Sequence, residues 1–148
     1  MGRKLSRETA MKLIYQIQIQ KDNKEDQIKE LFEHRSFSDK DRAYIEDVVN
    51  GILMNISEID ELIETNSIGW KLNRISKVDL AILRVGIYEI MFRKDIPYTV
   101  TINEAVEMAK KYSSNESGSF INGIFSKIPK VITETKLEAS SEESSTKV

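Results

Sequence analysis

VDLAILRVGIYEIMFRKDIPYTVTINEAVEMAKKYSSNESGSFINGIF, residues Val78 to Phe125, decides the fold. Its apolar residues recur at helical spacing, in three segments separated by polar or proline punctuation. Ser76-Lys77-Val78-Asp79 reads as a capped start for a helix carrying Val78, Ile82, Leu83, Val85 and Ile90. Thr101-Ile102-Asn103-Glu104 reads as a capping box, in which hydroxyl and carboxylate satisfy reciprocal backbone amides. A last stripe, Phe120, Ile121, Ile124, Phe125 and Ile128, runs up to Pro129, which ends it. The stretch holds no nucleophile–base pair, metal-ligand set or phosphate loop, so it reads as part of a binding module rather than a catalyst.

Upstream the pattern continues. Ala10, Leu13, Ile14 and Ile17 form an i, i+3, i+4, i+7 stripe, with Ser6 placed to cap it. Ile28, Leu31 and Phe32 mark a second, shorter helix. Ser38 opens a third, with Ile45, Val48, Val49, Ile52 and Leu53; Ser57 opens a fourth, with Ile59, Leu62 and Ile63. Tyr98-Thr99-Val100-Thr101 is the only β-like tetrad, too short to build a sheet. The reading is an all-α, compact bundle of about seven helices in two helical subdomains sharing a core. Asn66 to Asn73, with Gly69 and Trp70, reads as the joint between them.

With 148 residues, one domain is expected, able to bury about 68–70% of its unfolded surface. Without cysteine there is no thiol catalysis, disulfide or zinc–thiolate site, which fits a reducing cytoplasm. No export signal or membrane span is visible. Residues 133–148 carry four Glu and four Ser against two Lys and read as a disordered tail; residues 1–132 read as the domain. Without the tail the chain has 20 basic and 20 acidic residues. Against that neutral body, Arg3, Lys4, Arg7 and Lys12 stand beside Glu8 alone, a basic arm suited to a few phosphates.

Individual candidates divide by their surroundings. His34, the single histidine, reads as a cation at a helix C-terminus. Glu104 and Glu107 fall one turn apart but lack the Glu-x-x-His pattern of a di-iron bundle, so no metal is expected. Arg84, within an apolar stripe, calls for a carboxylate from elsewhere in the fold. Asn122-Gly123 reads as a point of close helix approach. Tyr15, two turns beyond Arg7, adds an aromatic to the basic arm, a pairing that suits single-stranded RNA. Phe120 reads as either core or an exposed stacking ring.

In order and spacing, Arg7-x-x-Ala10-x-x-x-x-Tyr15, Leu83-Arg84-x-x-x-Tyr88-Glu89, Pro97-Tyr98, Ile102-Asn103-Glu104-Ala105-Val106-x-x-Ala109-Lys110 and Phe120-Ile121-Asn122-Gly123 resemble the NusB family of bacterial transcription antitermination factors. The resemblance runs from Arg3 to Ile132. It implies two subdomains of three or four helices, pairing with NusE (a small-ribosomal-subunit protein), and binding of single-stranded boxA-type RNA. The action it implies is non-catalytic and needs no cofactor: support of ribosomal RNA transcription within an RNA polymerase antitermination complex. It further implies RNA contacts at Arg3, Lys4, Arg7, Tyr15, Glu116 and Phe120. For the partner and RNA region it implies Asp79, and Arg84, Tyr98 and Glu104 join it as the partner-facing set. Two other classes compete: an RNA-targeting domain like that of ribosomal-RNA cytosine methyltransferases, and a protein-only helical adaptor or homodimer.

Overall fold

The computed structural model describes residues 2–67, 69 and 71–128, and every regular element among them is helical. In chain order these are α1 (Gly2–Ile19), α2 (Lys24–His34), α3 (Asp39–Met54), α4 (Ile56–Asn66), α5 (Lys77–Phe92), α6 (Tyr98–Tyr112) and α7 (residues 115–128). A 3-10 turn, Leu72–Arg74, leads into α5. Trp70, Pro129 and the expected tail at 133–148 lie outside the described residues.

Leu80, Ala81, Ile82, Leu83, Val85, Gly86 and Ile87 are all buried, so α5 is covered on every side rather than along one stripe. A helix apolar all round belongs in the middle of a bundle. Accordingly α1, α3, α4 and α6 all pack on α5, while α2 lies against α1. One hydrophobic core results, joining Ala10, Leu13, Ile14 and Ile17 of α1 to Ile121, Ile124, Phe125 and Ile128 of α7.

Two glycines set how closely the helices approach. A Cβ on Gly86 would stand 2.3 Å from Phe125 Cζ, and one on Gly51 would stand 2.1 Å from Tyr88 Cε2. Gly123, expected to serve this purpose, faces open space. Asn122 is exposed, and its carbonyl accepts from the Ser126 hydroxyl at 2.6 Å.

Ser38 and Ser76 cap as expected, their hydroxyls accepting the N–H of Asp41 at 3.1 Å and of Asp79 at 3.2 Å. Three other starts fall earlier than their motifs. Helix α1 runs straight through Ser6, whose hydroxyl donates to Asp41 Oδ1 at 2.8 Å. Helix α4 begins at Ile56, before Ser57. Helix α6 begins at Tyr98, so the β-like tetrad is its first turn. Pro97, at φ −60°, supplies that start, because a missing N–H costs nothing there. Thr101 is therefore inside the helix, and Thr101–Glu104 is not a capping box.

Candidate nucleic-acid interface

Arg7 does not face solvent. It is 3% exposed, and its Nε and Nη2 donate to Glu89 Oε2 and Oε1 at 2.7 and 3.0 Å. Glu89, fully buried on α5, also accepts from the Tyr44 hydroxyl and from Thr101 Oγ1, the latter at 2.8 Å. Four helices thus meet at one carboxylate, whose charge is matched by a planar guanidinium. Burial pulls the Arg7 pKa down, but hydrogen bonding and the charge of Glu89 outweigh it and hold it above its ordinary value. Burial, then Glu89, pushes the Tyr44 phenol well up. Arg7 therefore belongs to the interior, not to a phosphate surface.

The rest of the arm divides in the same way. The Arg3 guanidinium lies 4.6 Å from the Tyr44 ring centroid, and its Nη1 is buried with no hydrogen-bond partner. Lys4 is exposed and has no carboxylate within ion-pair distance among the described residues. Helical spacing explains the split: Lys4, Glu8 and Tyr15 share one face of α1, while Arg3 and Arg7 are turned towards α3 and α5. Tyr15 is half-buried against the core.

On that same face, Glu8 accepts from Lys111 Nζ at 3.1 and 3.3 Å and from the Tyr112 hydroxyl at 3.0 Å. Lys12 and Lys111 each place their ammonium 5.1 Å from the Tyr112 ring centroid. Sequence reading missed Lys111 and Tyr112. The available signal was a basic pair followed by an aromatic at a helix end.

Beyond Tyr112 the chain turns into a pocket of about 370 Å³, lined by Arg74, Ser76, Asp79, Glu116, Ser117 and Phe120 among others. Here three expected site residues, Asp79, Glu116 and Phe120, come together although they lie on two helices. Asp79 is 6% exposed; its Oδ2 accepts from the Ser117 hydroxyl at 3.0 Å, and its Oδ1 is buried without a partner. Glu116 is exposed in the first turn of α7, and Phe120 is half-buried one turn later, touching both core and pocket.

The four residues expected to face a partner do not form one cluster. Arg84 donates from Nε and Nη2 to the two carboxylate oxygens of Asp60, both at 2.9 Å, so its carboxylate partner is tertiary and ties α5 to α4. Tyr98 is 55% exposed at the opposite end of the α5–α6 hairpin from Asp79. Glu104, partly exposed, lies between these ends and adds to the negative field on Arg7. His34 closes the last turn of α2, its Nε2 4.0 Å from Glu30 Oε1. Among the described residues no cluster of His, Cys, Asp or Glu could hold a metal, and no helix is long and apolar enough to cross a membrane.

Among the described residues, then, the fold is all-helical, with polar and aromatic groups along one face and around an open pocket. The chain belongs to the NusB family, whose model matches residues 4–130. It is 63% identical over 131 residues to the transcription antitermination protein NusB of Acetivibrio thermocellus, covering 88% of this chain and 90% of that one. To the Ruminiclostridium cellulolyticum protein of the same name it is 51% identical over 130 residues, with the same coverage. Among solved structures, T. maritima NusB superposes with a TM-score of 0.79 at 38% identity, over 86% of this chain and 90% of that one. A chain in the crystal structure of antitermination factors NusB and NusE in complex with dsRNA superposes with a TM-score of 0.78 at 30% identity, over 88% and 97%.

Proposed function

We propose that this protein is a transcription antitermination factor that pairs with NusE and binds boxA-type RNA as a single strand, supporting ribosomal RNA transcription as part of an RNA polymerase antitermination complex. The observation that carries this reading is the correspondence, over 88% of the chain, with a protein solved together with NusE and double-stranded RNA. Its own surface fits the role. Lys4 offers a phosphate contact, Tyr15 and Phe120 offer stacking faces, and Glu116 offers an acceptor to a base edge or to the partner, while Asp79 holds Ser117 at the pocket floor. Arg7 supports this surface from inside rather than touching phosphate, while Arg3, partly exposed over the Tyr44 ring, keeps a guanidinium at the start of α1. The protein acts by binding, without turnover and without a cofactor.

Fluorescence anisotropy of a labelled boxA-type RNA, titrated with this protein alone and with NusE, tests the proposal. Tighter binding in the presence of NusE is expected, together with a NusE complex that forms without RNA. No RNA binding in either titration would overturn it.

A further inference from the structure

A cleft of about 350 Å³ between α1 and α2 lies on the far side of Lys12 from Tyr112. Leu13 and Leu31 give it apolar walls, while Lys12, Glu30, His34 and Arg35 stand around it, two cations against one carboxylate. Across it Gln16 Nε2 donates to Gln27 Oε1 at 3.0 Å, and Gln27 is itself 6% exposed and held by the carbonyls of Gln20 and Asp22. The cleft is therefore a preformed feature with a fixed amide pair, not a gap between mobile side chains.

Charge selects what would enter it. Glu8 sits on the Lys111 ammonium, but Lys12 and Arg35 have no carboxylate within ion-pair distance among the described residues. Lys12 occupies the ridge of α1 between the face of Glu8 and Tyr15 and the face of Thr9, Leu13 and Gln16. Its ammonium already lies by the Tyr112 ring, two residues before Ser114 at the Phe120 pocket. Pocket, aromatic ring, the Lys12 ammonium and cleft thus follow one another across the surface.

We propose that a bound RNA strand continues past the Phe120 pocket, over Tyr112 and Lys12, and lays further nucleotides in the α1–α2 cleft. The inference rests on the RNA-binding reading above. Lys12 and Arg35 contact phosphates, Leu13 and Leu31 face a base or ribose, and the Gln16 amide meets a base edge. Single-stranded RNA fits because a flexible strand can turn over the α1 ridge with its bases splayed apart.

The test compares the full chain with its Lys12→Gln/Arg35→Gln variant, both with NusE present, on nested single-stranded RNAs of increasing length. Both positions are exposed, so the variant folds, and matching thermal melts check this. Each single-strand phosphate contact contributes about 0.7 to the slope of log affinity against log salt, so the variant's slope on long RNA should be shallower by about 1.4. On an RNA long enough only for the Phe120 pocket, the two proteins should bind alike. An unchanged slope and unchanged length dependence, with the full chain binding RNA, would overturn the cleft and leave the RNA reading standing. Loss of NusE binding with RNA binding intact would also overturn it, making the cleft a protein surface. Absence of RNA binding by the full chain would remove both readings.

Discussion

Arg7 and Glu89 meet through two parallel hydrogen bonds, 82 residues apart in sequence and shielded from water. The arginine that looks most like part of a basic arm is thereby the anchor of α1 on α5. Removing one member of a buried, hydrogen-bonded ion pair strands the other charge, and the cost is large.

Arg7→Ala should therefore destabilise the protein by about 3–5 kcal/mol, read from urea unfolding. Under conditions where the variant is folded, its RNA affinity should keep the wild-type salt dependence. A flattened salt slope in a protein of normal stability would instead put Arg7 on the RNA.

Lys4→Ala is the converse experiment. Its side chain is exposed, so stability should stay within about 0.5 kcal/mol of wild type. The salt slope for single-stranded RNA should fall by about 0.7. An unaltered slope would make Lys4 a solvated residue.

Tyr15→Ala and Phe120→Ala should weaken RNA binding by about 1–3 kcal/mol per lost base stack, with the salt slope intact. Phe120 is only half-buried, so its stability loss should stay below that of Phe125→Ala, a fully buried ring for which about 3–5 kcal/mol is expected. Thermal melts beside the titrations separate the two effects. Equal losses of stability at 120 and 125 would assign Phe120 to the core alone.

Gly86→Ala tests the close approach of α5 to α7. The added methyl would meet the Phe125 ring, so overpacking should cost about 1–3 kcal/mol despite the better helix propensity of alanine. Gly123→Ala, with open space around it, should be stabilising or neutral. Reversal of this order in chemical denaturation would contradict the packing described.

Glu8 should make stability pH-dependent. Burial pushes its carboxyl up, but hydrogen bonds from Lys111 and Tyr112 and the nearby ammoniums outweigh this and hold it below the ordinary 4.5. A depressed folded-state pKa stabilises above the unfolded value and is lost as pH falls through the folded one. Glu8→Gln should therefore lower the urea midpoint at pH 7, with the difference from wild type shrinking as the solution is acidified below 4.5. A difference that stays constant into strong acid would rule out this linkage.

The local grammar of the chain determined the helices: their approximate number, their all-α class, the Ser38 and Ser76 caps, and the apolar stripe of α5. These follow from residues within a turn or two of one another, so spacing alone reveals them. Arg84 belongs partly here, because a guanidinium in an apolar stripe requires a carboxylate, though only the fold identifies Asp60. What the tertiary structure decided is where each polar side chain spends its hydrogen bonds. A hydroxyl at Ser6 or Thr101 has the chemistry of a cap, yet Asp41 and Glu89 claim them from distant helices. Glu89, an isolated acid among apolar residues, names no partner until α1, α3 and α6 close around it. The pocket of Asp79, Glu116 and Phe120 and the Lys12–Tyr112 contact have the same origin, because they form only where separate helices pack side by side.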